Sequence, residues 1–167
     1  MPDATSLPIL RRATRADLTA LVGLIEASVR GLGRRFYSDA EIESGLRYVF
    51  GPDSALIDDG TYWVFEDDGT LAAAGGWSRR DTLYGGDHAK RGDDPLLDPA
   101  VQPARIRAFF VDPRYARRGL GRSLLAHCTA EAARHGFTSL ELMATLPGEP
   151  LYLAMGFAAI EQESPGG

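Results

Sequence analysis

Apolar residues recur along this chain with two different periods. Leu18, Leu21, Val22, Ile25 and Val29 fall at helical spacing, as do Ile42, Leu46, Val49 and Phe50, and each set makes one face of an α-helix. Start signals precede both. Thr14 with Asp17 is capping-box-like, and Ser38 with Glu41 is a full S-x-x-E box. Gly31 and Gly33 end the first helix, and Gly51-Pro52 stops the second. Elsewhere the pattern turns to aromatic and β-branched residues, which suit a pleated surface. Strands are predicted at residues 7–12, 61–66, 71–79, 105–111, 137–144 and 156–161. Asp68-Gly69 joins two of them as a tight hairpin. Gly75-Gly76 marks a bulge or a close backbone approach inside a strand. Two more helices are predicted, one from Gly119 to about His135-Gly136, the other short, over residues 151–155.

The order is strand, two helices, hairpin, strand, helix, strand, helix, strand, which is an α+β arrangement around a mixed sheet. Residues 80–103 stand out as polar and aperiodic, with many Gly, Asp and Pro. A loop that long inside one domain is either functional or disordered.

One stretch carries chemistry. Residues 105–125 read R-I-R-A-F-F-V-D-P-R-Y-A-R-R-G-L-G-R-S-L-L: a strand, a turn cornered by Pro113, then a helix start. The first amides of a helix lack internal partners and carry the positive end of its dipole. Gly119 and Gly121 remove Cβ atoms that would hold an anion away. Arg117, Arg118 and Arg122 add forked donors. This is not a P-loop, because Arg122-Ser123 follows Gly121 where Lys-Ser/Thr is required. Nor is it a dinucleotide fingerprint, whose third glycine is here Leu124. The alternative is a strand–helix turn whose glycines only permit close packing and whose arginines are solvated.

Composition narrows the class. The 167 residues suit one domain, 1–167, with ordinary apolar and charged fractions. A net charge of −5 argues against nonspecific nucleic-acid binding. Asn is absent and Lys90 is the one lysine, a bias that points to genome composition. Cys128 is the one cysteine, which excludes an internal disulfide and a thiolate metal cluster. No apolar run reaches a membrane span and no signal-peptide core is visible, so a cytoplasmic protein is expected. His88, His127 and His135 read as surface residues, and no metal-ligating constellation is seen.

The segment Ala116-Arg117-Arg118-Gly119-Leu120-Gly121, after Val111-Asp112-Pro113, resembles the acyl-CoA pyrophosphate loop of the GNAT acetyltransferase superfamily, Q/R-x-x-G-x-G/A after V-x-P. Ala116 departs from the first position. A second motif, Leu151-Tyr152-Leu153-Ala154-Met155-Gly156-Phe157, is similar to the family's L-Y-x-x-x-G-F and lies at the expected separation. Thr145 and Gly148 stand where many relatives carry Asn and Ala.

The resemblance runs from Ile9 to Glu161. It implies a mostly antiparallel central sheet flanked by helices, with acyl-CoA bound where two strands splay. It also implies acetyl-CoA as co-substrate and transfer of acetyl to an amine of a small molecule or protein. The pantetheine arm would run along the backbone of Phe109, Phe110 and Val111. The pyrophosphate would sit on Arg117, Arg118, Gly119, Leu120, Gly121 and Arg122.

Tyr152, whose ordinary pKa of about 10 leaves it protonated near neutrality, would protonate the departing thiolate; the alternative is packing against Phe157. Glu141, in an apolar strand, could remove a proton through water, or could pair with Arg105 or Arg107. Trp77, Arg79, Arg80 and Tyr84, at the root of the long loop, are candidate acceptor contacts. A noncatalytic acyl-CoA sensor of the same fold is the competing function. Expected partners are acyl-CoA and an amine, with neither nucleic acid nor membrane, and a homodimer is left open.

Overall fold

The structure is a computed structural model that describes residues 7–87 and 94–160. Five strands form one sheet in the order β1-β2-β3-β4-β5: β1 Ile9–Arg12, β2 Tyr62–Asp67, β3 Thr70–Ser78, β4 Ala104–Val111 and β5 Leu140–Glu141. The first three pairings are antiparallel and the last, β4 with β5, is parallel. Five helices flank it: α1 Leu18–Gly33, α2 Asp39–Tyr48, α3 Ser54–Asp58, α4 Leu120–Arg134 and α5 Glu149–Ala154. The mixed, mostly antiparallel α+β sheet is the expected class. Among the described residues no helix is long and apolar enough to cross a membrane.

Local signals act as read. The Ser38 hydroxyl accepts from the Glu41 amide at 3.1 Å while Glu41 accepts from the Ser38 amide at 2.8 Å, opening α2. The Thr14 amide donates to Asp17 at 2.7 Å, and a 3₁₀ turn over Arg15–Asp17 leads into α1. Asp68 and Gly69 both take positive φ, 48° and 85°, as a two-residue hairpin that follows the sheet twist requires.

Both faces of β3 are covered, so its small Ala-Ala-Ala-Gly-Gly run is buried throughout. On one face α1 and α3 bring Leu21, Leu24, Leu56 and Ile57 against Tyr62, Val64 and Ala74. On the other, α4 lays Leu124, Leu125 and Cys128 over Ala73, Trp77 and Ile106. Buried Glu131 fixes α4 in place, because its Oε1 accepts from the indoles of Trp63 at 2.8 Å and Trp77 at 3.0 Å. The helix histidines pack against the same indoles, with ring centroids 4.2 Å apart for His127–Trp63 and 5.1 Å for His135–Trp77; His135 is exposed as expected, while His127 is half-buried. His88 lies outside the described residues.

Three expectations are corrected. The sixth strand does not form over residues 156–160: Gly156 turns at φ 99°, Phe157 folds back on Tyr152 with its amide on the Tyr152 carbonyl, and Ile160 is exposed. Residues 137–144 supply only a two-residue strand, because the chain leaves β4 after Glu141. A third helix, α3, was hidden in the sequence. It is five residues long, too short for periodicity to show, and starts where the Asp53 carboxylate accepts from the Ala55 amide.

Candidate active site

The cleft begins where β4 and β5 part. They pair at Ala104–Leu140 and Arg105–Glu141 and diverge beyond, leaving Leu142 and Met143 facing Phe109 across a small cavity of about 80 Å³. Here β4 is distorted. Its ladder with β3 runs from Gly76–Arg107 to Ala74–Phe110 and skips Ala108 and Phe109. Ala108 has φ 56°, which a side chain tolerates only when the surroundings impose it. Two features impose it. The hydroxyl of fully buried Tyr62 donates to the Ala108 carbonyl at 2.7 Å. Gly75 leaves room for the Phe109 ring, since a Cβ there would lie 2.6 Å from it. The glycine pair predicted as a bulge or close approach is both.

The outer end of β4 leads into the anion cradle. Asp112 bonds back to β3 through its amide, on the Ala72 carbonyl at 2.9 Å. The Val111 amide points to the other edge, where Ser28 of α1 accepts it at 3.2 Å. Asp112 caps the turn over Pro113–Tyr115 and holds Arg114 by two side-chain hydrogen bonds. Burial pushes the Asp112 carboxyl up, but the hydrogen bonds from Arg114 outweigh it and leave it below its ordinary value.

Gly119 then caps α4 at φ 80°, and a Cβ there would meet open space. That open space, faced by the unpaired first amides of a fifteen-residue helix, fits a pyrophosphate. Arg117, Arg118 and Arg122 are exposed around it. Arg118 lies over the Tyr115 ring at 5.1 Å. Gly121 serves differently than expected: a Cβ there would press on Leu151 at 3.2 Å, so it lets α5 close against α4. Phe110 contributes backbone at the cleft, while its ring meets Phe50 edge-on at 6.2 Å.

Tyr152 sits in α5 between Phe109 and Phe157, with ring centroids 6.2 Å and 5.9 Å away, and lines the cavity. Burial pushes its phenol above the ordinary value. Cys128 is in the core with its thiol pushed up by burial, so it is no nucleophile for an acyl-enzyme. Glu141 accepts from Arg105 at 2.9 Å and Arg105 also reaches Asp81. That is the ion-pair alternative, and it holds the carboxylate outside the cavity lining.

Of the four acceptor candidates only Tyr84 lines the cavity. Trp77 is fully buried against α4. Arg79 lies over the Trp77 ring. Arg80 is held by Asp59 at 2.8 Å. Sequence reasoning missed Phe50, Leu83, Leu142 and Met143, which also line the cavity, with Thr145 beside them. It also missed Arg107, which reaches from β4 to Asp53 at 2.9 Å and to the carbonyls of Thr82 and Gly85. The Gly51-Pro52 stop, which ends α2 beside Phe50, was the one available hint.

The profile of the Acetyltransferase (GNAT) family matches residues 26–157. No curated protein sequence matches the chain. Among solved structures it is similar to a GCN5-related N-acetyltransferase from Ralstonia eutropha JMP134, at 25% identity over 93% of this chain and 95% of that one, TM-score 0.62. It is also similar to the PaiA N-acetyltransferase from Thermoplasma acidophilum in complex with coenzyme A, at 15% identity over 95% and 94%, TM-score 0.69. A third, at 15% identity over 93% and 94% with TM-score 0.55, is an aminoglycoside 6'-N-acetyltransferase from Acinetobacter haemolyticus. The profile spans most of the chain and takes in both the glycine turn and the Tyr152 segment, and this chain therefore belongs to the GNAT family of acetyltransferases.

Proposed function

We propose that this acetyltransferase moves acetyl from acetyl-CoA to an amine by direct attack, with Tyr152 as the acid that protonates the departing sulfur. The observation that carries this reading is the placement of Tyr152 on the cavity where β4 and β5 part. In the reading, pyrophosphate lies on the start of α4 and pantetheine follows the free edge of β4, where Ser28 yields the Val111 amide. The thioester then reaches Phe109. The Ala108 carbonyl is taken by Tyr62, so in this reading a backbone amide of the skipped pair Ala108–Phe109 donates to the carbonyl as it becomes an oxyanion. With its pKa raised by burial, the phenol stays protonated across the neutral and mildly alkaline range and is ready to donate. The amine proton leaves through water, since Glu141 is engaged by Arg105.

Free thiol release from acetyl-CoA on adding amines separates this reading from an acyl-CoA sensor. Tyr152→Phe is expected to lower the transfer rate about 10²–10⁴-fold with acetyl-CoA affinity by calorimetry retained. An unchanged single-turnover rate would assign the ring to packing alone.

A further inference from the structure

The acceptor side of the cleft has a definite chemistry. Phe50, Leu83, Tyr84, Leu142 and Met143 supply an apolar and aromatic part of the wall, beside the neutral polar side chains of Thr145 and Tyr152. Among the described residues the one charged side chain on the lining is Arg107. Its charge is already met by Asp53 at 2.9 Å, with the two side chains 2% and 1% exposed. Among the described carboxylates of the neighbouring strand and loop, Glu141 and Asp81 are both held by Arg105, and Asp87, next to Gly86, accepts from the Ser54 amide and hydroxyl. An alkylammonium entering this space would leave water for an apolar wall beside a cation, with the local carboxylate spent. Desolvation without a counter-ion favours the neutral base, and a second or third positive charge on the same molecule would compound the cost.

We infer that the acceptor is an apolar, weakly basic amine that enters as the free base, and that polycationic amines are poor acceptors; this rests on the acetyl-transfer reading above. The ammonium loses its proton to water before entry. The neutral nitrogen then forms a bond to the acetyl carbonyl carbon, and the C–S bond breaks. The sulfur takes the Tyr152 proton, and the proton lost by the new amide nitrogen returns through water to the phenolate. One amine and one acetyl-CoA give one amide and one free CoA thiol. Discrimination follows from the wall. An aromatic or aliphatic body can lie on Tyr84 and Leu83 as it passes out of a cavity this small, whereas a polyamine gains no apolar contact there and brings further charge toward Arg107.

The test compares four probes on the intact chain: L-phenylalaninamide, 2-phenylethylamine, spermidine and kanamycin. Thiol release is followed across pH, and acetyl-CoA binding is measured separately by calorimetry. At neutral pH kcat/KM for L-phenylalaninamide is expected to exceed that for either polycation at least tenfold. The pH profile is the sharper readout. For a free-base acceptor, log kcat/KM climbs with unit slope to a plateau at the acceptor's own pKa. The profile for the α-amine, whose ordinary value is about 7.7–8.0, should therefore turn roughly two units below that for the alkylamine, which titrates in the range of a lysine near 10. Equal inflections for both phenyl amines would reveal a titrating base on the protein and overturn the inference. So would faster transfer to spermidine or kanamycin, although acetyl transfer itself would then stand. Thiol release from none of the probes, with acetyl-CoA bound, would overturn the transfer reading and the acceptor class together.

Discussion

Asp17 shows how much a single side chain carries in this fold. Its carboxylate takes a fork of hydrogen bonds from Arg11, at 2.9 and 2.8 Å, and one from the Thr14 amide at 2.7 Å. Arg11 bonds Glu66 of β2 as well, so this cluster joins the edge strand to the start of α1. The hydrogen bonds from Arg11, ahead of the opposing effect of burial, hold the Asp17 carboxyl below its ordinary value of 3.8. A depressed folded pKa means that the ionised form stabilises the native state, that this contribution is complete above 3.8, and that it is lost as pH falls from there through the folded value. Asp17→Asn is expected to lower stability by about 1–3 kcal/mol at pH 7. Urea unfolding should show the gap between wild type and variant closing at pH 3; a gap that stays constant would remove the linkage.

At the scale of elements, α4 serves two partners at its two ends. Its C-terminal half is pinned to the sheet by Glu131 beneath Trp63 and Trp77. Its N-terminal turn presents unpaired amides beside exposed arginines. Rigid docking matters because an anion site works only if its donors are already aimed. Arg117→Glu with Arg118→Glu places like charge where pyrophosphate would lie. A charge-assisted contact contributes about 1.5–3 kcal/mol, so CoA affinity by calorimetry should fall about 10–100-fold or more. Both side chains are exposed, so Tm should move little. Undiminished affinity in the folded variant would move the pyrophosphate elsewhere. Arg117 also has φ 64°, so each substitution at that position should be compared with Arg117→Asn, a residue suited to that conformation.

At the scale of the whole molecule, a buried ion pair links distant segments beside the cleft. Arg107 joins β4 to Asp53 at the head of α3 and to the Thr82 and Gly85 carbonyls. The Gly86 and Asp87 amides bond back to Val49 and Pro52, so the first part of the long loop is wired to the end of α2. Its far end returns with Leu97 buried in the core and Arg80 bridged to Leu96. The described parts of the segment, 80–87 and 94–103, are therefore tied down, with residues 83–86 on the cavity lining, and replacing residues 80–103 by a short turn would remove core as well as lining. Arg107→Met leaves Asp53 buried opposite a thioether and releases the loop carbonyls. It is expected to cost about 3–5 kcal/mol in urea unfolding and to raise the acceptor KM more than that of acetyl-CoA. Equal stability would show that water satisfies the pair's partners.

By itself the sequence determined the features governed by neighbours along the chain. The Ser38–Glu41 box, the Asp68-Gly69 hairpin, the amphipathic faces of α1 and α2, and the glycine turn opening α4 all follow from spacing, capping and backbone sterics within a few residues. Tyr152 and the turn were legible because two local motifs lay at a familiar separation. Tertiary structure alone decided what depends on pairing across the chain. It placed Trp77 in the core, engaged Glu141 with Arg105, and gave Gly121 to Leu151 while leaving open space over Gly119. It stopped β5 after two residues, where the divergence from β4 opens the cleft. It also brought Phe50, Leu83, Leu142 and Met143 together on the cavity lining. These come from three separate segments, each too short to announce a role, and only burial against one another and the Arg107–Asp53 pair brings them together.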